Sequence, residues 1–201
     1  MKNTNIYIVT ILFFVLGCSI AKNYSDSQIK GNGKSISELR NLKEFTEIEM
    51  SIAYDKIEVN FGAVQSLQII GDENIIPLIK TLVSDGVLTI SSDSSFQTKA
   101  ESKIVINMIS LKKFIFDGVG ESSINKINEE YFVCTLNGVG SCELNGNVAN
   151  FKLSVNGVGS INAKELIADK VVASLNGVGS AEVYATNSLN ASVNGIGGLT
   201  Y

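Results

Sequence analysis

The sequence predicts an all-β chain folded as a right-handed parallel β-helix, a solenoid with coils of about 18–20 residues, and three observations carry that reading. The first is a phrase written five times: FDGVGE at 116–121, LNGVGS at 136–141, VNGVGS at 155–160, LNGVGS at 175–180 and VNGIGG at 193–198. Its first glycines stand at 118, 138, 157, 177 and 195, in steps of 20, 19, 20 and 18. A fixed period in this range means stacked coils, each burying its apolar face only against its neighbours. The second is the set of columns that appears when coils are aligned on that glycine. Phe116, Leu136, Val155, Leu175 and Val193 lie two before it; Phe114, Cys134, Leu153, Ala173 and Ala191 lie four before. Val119, Val139, Val158, Val178 and Ile196 follow it and are expected to line the interior as a third apolar column. The third is the polar column between: Asp117, Asn137, Asn156, Asn176 and Asn194. Alternation has period two up to the Asn-Gly and then slips, so the strand bends there, at residues that tolerate positive φ.

Asn-Gly between apolar residues is also a hairpin signal, and a string of antiparallel hairpins is the competing fold. Hairpins do not explain why the same columns recur in every coil. Each coil fits two short strands, one corner and a looser third side, at roughly 4.8 Å per coil, wound right-handed because parallel crossovers nearly always are.

From the amino terminus, residues 1–17 combine Lys2, an apolar run from Ile6 to Leu16 and Gly17, the layout of a bacterial signal peptide. The run is shorter than the roughly 20 residues a permanent membrane span needs. Val15-Leu16-Gly17-Cys18 resembles the lipobox of bacterial lipoproteins, which marks Cys18 as the lipidation site, with cleavage before it. An ordinary secreted protein with an incidental cysteine is the plainer alternative. Several acyl chains on one cysteine anchor a protein without a transmembrane helix. Residues 18–34 are polar and Gly-containing, as a flexible tether would be, and Ser19 in place of Asp points to the outer membrane. Residues 35–201 then form the folded domain. Within it, 57–62, 66–70, 87–91 and 103–108 read as strands separated by Gly71-Asp72 and Asp85-Gly86 turns. Residues 75–83, with Pro77 near their start, read as a short helix or a loop. All these are expected to be irregular opening coils that cap the stack.

The order SISELRNLKEFTEIEM at 35–50, Gly71-Asp72-Glu73-Asn74, Asp85-Gly86-Val87-Leu88 and glycine-punctuated coils resembles the GIN-domain family of auto-transporter adhesin heads over residues 35–201. The coils carry Asn-Gly-Val-Gly where family members show Ser-Gly-Ser-Gly. The resemblance implies an exported, lipid-anchored β-helix of the bacterial envelope with an adhesive role, and it supplies no catalytic residue.

Composition narrows the chemistry. The 201 residues are 45% apolar, enough for one modest domain, and contain no His. That excludes Ser-His and Cys-His nucleophile pairs and His-ligated zinc. The balance of 16 basic against 20 acidic residues gives a net charge of −4, which argues against nucleic acid as a partner. Gly-x-Gly phrases without carboxylates in register make neither a calcium roll nor a phosphate loop, and no cofactor or metal is expected. A polysaccharide lyase would need clustered Asp, Lys and Arg, yet Arg40 is the single arginine, and Glu143 and Glu182 share a column two coils apart. Cys134 and Cys142 both fall in inward columns. Export would permit a disulfide between them, but the stronger expectation is that they pack as small hydrophobes, unbridged, because the corner between them puts them on different walls. The Asn column is expected to satisfy corner backbone groups, with sugar binding as the functional alternative.

The chain therefore reads as a non-enzymatic envelope lipoprotein, held to the membrane through acylated Cys18, whose rigid head presents a polar face or open end to a glycan or protein. Self-association through the C-terminal coil is the alternative, since an unpaired strand edge templates another chain. A polysaccharide-acting enzyme ranks behind both.

Overall fold

The computed structural model describes residues 28–201, so the signal peptide, Cys18 and most of the expected tether lie outside the described residues. Alternating apolar and polar residues make fifteen strands: β1 (Ile29–Lys30), β2 (Ser35–Arg40), β3 (Glu47–Ser51), β4 (Ala53–Phe61), β5 (Ser66–Asp72), β6 (Ile79–Ser84), β7 (Val87–Ser92), β8 (Phe96–Gln97), β9 (Lys103–Met108), β10 (Lys113–Phe116), β11 (Val119–Leu136), β12 (Val139–Val155), β13 (Val158–Leu175), β14 (Val178–Val193) and β15 (Ile196–Thr200). One 3-10 turn, Ile76–Leu78, with Pro77 in its first turn, is the only helical element among the described residues.

The fold is all-β, and its main sheet is mixed and curled. Nine strands follow one path, β15-β14-β13-β12-β11-β10-β3-β7-β6, and β2, β4, β5 and β9 join through β11. The expected glycine register holds throughout the C-terminal half. Phe116 pairs with Leu136, Leu136 with Val155, Val155 with Leu175 and Leu175 with Val193, every pairing parallel. The hairpin alternative fails there.

An uninterrupted parallel helix is not what precedes it. β2 runs antiparallel to β5, β5 to β9, and β6 to β7. The opening strands are thus a mixed sheet and not irregular coils. The helix-or-loop reading of residues 75–83 is corrected as well: after the 3-10 turn the chain is strand β6, returning through Asp85 (φ 51°) and Gly86 (φ 78°). Positive φ at both central residues is the hairpin turn whose twist matches the strands.

The third side of each coil, expected to be loose, is strand too. β11 to β14 run through both bends and pair along the third side, with register shifts at 124–127, 143–145 and 163–167 absorbing unequal coil lengths. A β-bulge does this by adding residues on one strand without ending the ladder.

The core confirms two of the three apolar columns. Phe114, Phe116, Cys134, Leu136, Leu153, Val155, Ala173 and Leu175 are all buried. Phe132 and Phe151, from the third side, stack with ring centroids 5.8 Å apart. Each such side chain contributes roughly 1.5–3 kcal/mol when fully buried. The valine column is corrected: Val119, Val139, Val158 and Val178 are about half exposed and face water. The expected slip at the Asn-Gly does not occur: Leu136, Gly138, Gly140 and Cys142 keep the inward phase through the corner, and that alternation puts the valines outside.

The two glycines of the phrase have different tasks. At Gly138 a Cβ would fall inside the radius of the Gly118 carbonyl oxygen, because coils approach backbone to backbone there. Gly140 meets the same obstruction from Gly120 and also has φ 150°. Positive φ therefore belongs to the second glycine and not to the asparagine.

Asn side chains stack on one another and do not cap the corner backbone as expected. Asn137 donates to Asp117 at 2.5 Å, Asn156 to Asn137 at 2.8 Å, Asn176 to Asn156 at 3.0 Å and Asn194 to Asn176 at 3.3 Å.

The Gly71-Asp72-Glu73-Asn74 segment clamps residues 30–34, part of the expected tether. The buried Asp72 carboxylate accepts the backbone N–H groups of Gly33, Lys99 and Ala100. Glu73 pairs with Lys34 at 2.6 Å. Asn74 accepts from Asn32 N and donates to Lys30 O. β1 pairs in parallel with β8. Residues 29–34, counted in the expected tether, are thus strapped to the folded domain.

Candidate functional site

The candidate site is the outer surface where the third side bends into the first. Tyr131, Asn150, Lys170 and Ser188 share one register across β11–β14, and Val133, Lys152, Val172 and Asn190 share the register two residues on. Between them the side chains of Phe132, Phe151 and Val171 point inward and are buried. Period two therefore fixes the arrangement: the inward aromatics hold the wall rigid while their neighbours on either side face out. Four stacked strands at about 4.8 Å make this face roughly 14 Å long.

It forms a shallow depression of about 320 Å³. Val133 and Val172 are part of its apolar lining, and Tyr131 stands at one end, 60% exposed. Asn150, Asn190, Ser188, Lys152 and Lys170 supply its polar lining. Among the described residues neither lysine forms an ion pair, as is also true of Lys30, Lys43, Lys99, Lys112, Lys126 and Lys164. What sets Lys152 and Lys170 apart is that they line one depression together with Tyr131. An open, rigid face with an aromatic ring, amides and unpaired ammonium groups can stack on an apolar ring face, hydrogen-bond hydroxyls and neutralise an anion.

These residues were absent from the expected site. The signal was available, since they stand seven and five positions before the first glycine, beyond the four-residue reach of the columns first read.

A second depression, of about 260 Å³, is lined by Lys56, Glu58, Glu121, Ser122, Ser123, Ser141 and Glu143. Acid and lysine side chains do converge there. Lys56, the one lysine of its lining, approaches Glu101 at 3.6 Å, and Glu58 is paired with Lys103 at 2.7 Å. Glu143 and Glu182 share a column, as expected, separated by Asn162.

The strongly perturbed groups lie elsewhere and serve the fold. Burial opposes ionisation of Asp72, and its three backbone donors with Lys99 nearby outweigh that and hold the carboxyl below the usual range. The Lys113 ammonium donates to the carboxylates of Glu47 and Glu49, each at 3.0 Å, and these bonds raise its pKa. Burial raises the Tyr54 phenol, which donates to Ile70 O. Arg40 is spent on carbonyls of Ile79 and Ile76 and on Glu38.

Among the described residues, no group of three or more His, Cys, Asp or Glu is arranged to hold a metal ion, and no helix is long and apolar enough to cross a membrane.

No curated protein matches the chain. Among solved structures it is similar to a "putative adhesin" from Bacteroides fragilis, with 26% identity, a TM-score of 0.66, and coverage of 86% of this chain and 99% of that one. A "putative lipid binding protein" from Parabacteroides distasonis shares the fold at 17% identity and a TM-score of 0.58, covering 87% of this chain and 100% of the other. A "putative adhesin" from Parabacteroides merdae does so at 16% identity and 0.56, covering 87% and 99%. The family model described as "Putative auto-transporter adhesin, head GIN domain" matches residues 44–201. With that match over most of its length, and with the glycine register and the Gly-Asp-Glu-Asn clamp in place, the chain belongs to the head GIN-domain family.

Proposed function

We propose that this chain is a non-enzymatic binding head of the bacterial envelope, anchored through acylated Cys18, whose coils wind as a right-handed β-helix and hold an acidic glycan on the Tyr131–Asn190 face. One observation carries the reading: Lys152 and Lys170 line the same depression as the exposed Tyr131, on the outer face of stacked strands. Sugars offer ring faces for stacking and hydroxyls for amides, and a carboxylate or sulfate supplies the charge. The family description and the "putative adhesin" from Bacteroides fragilis agree with a binding role.

The test is a glycan array probed with the Cys18→Ala chain, alongside vesicles of anionic lipid. Acidic glycans are expected to bind, and Lys152→Glu with Lys170→Glu is expected to weaken them at least tenfold. Binding that ignores both substitutions sinks the site. Retention on anionic vesicles alone transfers the face to a lipid headgroup. Shortened glycans in the supernatant move the chemistry to the Glu58–Glu143 depression and make the chain an enzyme. In cells, Cys18→Ala should shift the protein from membranes to the soluble fraction, and unchanged partition removes the anchor.

Self-association has its own support. Val193 is 44% exposed although it continues the buried Leu136–Val155–Leu175 column, so the last coil leaves inward-facing apolar surface uncovered. A second copy would cover it, and a monomer in concentrated sedimentation runs would exclude that.

A further inference from the structure

Cys134 and Cys142 occupy one slot of a repeated internal arrangement. Four residues before the first glycine of each phrase the register runs Phe114, Cys134, Leu153, Ala173, Ala191. Four residues after it runs Ser122, Cys142, Ile161, Ala181, Leu199. The two walls meet at the Asn-Gly corner, so their fourth residues converge across the angle. The expectation that different walls separate the cysteines is therefore wrong: the two sulfur atoms are 3.8 Å apart, both thiols free and fully buried.

We infer that Cys134 and Cys142 are a modification site, a thiol pair that closes into an intramolecular disulfide when the chain folds in the presence of a disulfide donor. The slot brings the sulfurs within about 1.8 Å of a disulfide's S–S length of roughly 2.0 Å, a gap that small side-chain rotations span. No other side chain lies between them, and the neighbouring coils wall the slot with Phe114 and Ser122 on one side and Leu153 and Ile161 on the other. The reaction is thiol–disulfide exchange. One cysteine thiolate attacks the donor disulfide and releases a donor thiol; the second attacks that mixed disulfide and releases the other. Two protons and two electrons pass from the pair to the donor.

Timing follows from burial. In the folded chain the shared S–H···S contact and the apolar surroundings push the Cys134 thiol up, so the reactive thiolate is suppressed once the coils have stacked. Closure belongs to the folding chain, while the corner has formed and the next coil has not yet covered it. The donor would be a protein or small-molecule disulfide of an oxidising compartment, and that location rests on the envelope reading. The geometry does not.

The experiment separates the two. The full chain is unfolded in reductant, refolded with glutathione disulfide as donor, alkylated under denaturing conditions and cleaved with trypsin. Both cysteines fall in the peptide spanning 127–152, whatever happens at Cys18. The expected product is that peptide, lighter by two hydrogen atoms and without alkyl groups, in more than nine-tenths of the refolded protein. Two alkyl groups, or glutathione adducts, overturn the inference. The Cys142→Ser chain, treated alike and shown folded by circular dichroism, should carry one alkyl group or one glutathione on Cys134; a Cys134 free of both would mean that something other than a bond to Cys142 protects the wild type, and would also overturn it. Peptide isolated from the producing bacterium gives the last arm. A closed peptide there supports both readings. An alkylated one after successful closure in vitro leaves the pair intact as a site and removes the oxidising compartment.

Discussion

Gly140 is the second glycine of its phrase and Gly198 stands in the serine column of the last one, and the two meet opposite surroundings. A Cβ on Gly140 would overlap the Gly120 carbonyl oxygen at a φ of 150°, whereas around Gly198 there is nothing within 4 Å. Gly140→Ala should lower stability by about 3 kcal/mol and Gly198→Ala by less than about 0.5 kcal/mol, read as shifts in the urea midpoint. Comparable loss at both sites would mean the coils do not approach by their backbones. The valines give the matching contrast on the apolar side. Leu153→Ala should cost about 2–5 kcal/mol, and Val158→Ser less than about 0.5 kcal/mol. At this scale the sequence revealed a column's existence more readily than its direction. Leu136 and Val139 are both apolar and both recur, and an odd spacing sends one inward and the other out. The alternation runs unbroken through the corner, from Cys134 and Leu136 to Cys142 and Leu144, so period two carried across it places the valines outside, and assuming a slip at the Asn-Gly hid that. Tyr131 and Lys152 were overlooked for a different reason: outward residues vary from coil to coil, and repetition is blind to what does not repeat.

Asp72 shows how a short motif fixes an element. Its carboxylate joins three backbone donors from two separate segments, so β1, the strap and the loop before β9 depend on one charge. A carboxyl held below its unfolded value contributes stability that is present above the unfolded value and lost as pH falls through the folded one. The urea midpoint should therefore drop on the acid side of the ordinary carboxylate range, and Asp72→Asn should lower the midpoint at neutral pH while flattening that acid limb. An undiminished limb in the variant would assign the acid sensitivity to other carboxylates. Limited proteolysis should then find new cuts within residues 28–34 of the variant. This clamp explains why Gly-Asp-Glu-Asn was legible as a family mark and illegible as a contact. Composition shows residues 30–34 to be small and polar, as a tether is, and gives no hint that a buried carboxylate more than thirty residues away accepts the N–H of Gly33.

Stacked coils couple to nearest neighbours, and stability is accordingly distributed along the axis. The middle coils bury both faces: Leu136, Leu153 and Val155 are shielded from water, while Val193 in the same column is 44% exposed and Ile196 is 75% exposed. Amide exchange should follow this gradient. β15 and residues 184–193 of β14 should exchange first, by local opening at a small fraction of the global free energy, and residues 133–136 and 152–155 last, only on global unfolding. Val193→Ala should then leave the slowest amides unchanged, whereas Leu153→Ala should speed them by the full change in stability. Uniform exchange across all coils would make the chain one cooperative unit and contradict the nearest-neighbour picture. The same measurement bears on assembly, because a second copy seated on the exposed coil would bury Val193 and Leu199 and protect β15 more strongly as protein concentration rises. Protection independent of concentration assigns that coil to the frayed end of a monomer and leaves the Tyr131 wall, which lies across the stable coils, as the face rigid enough to hold a ligand.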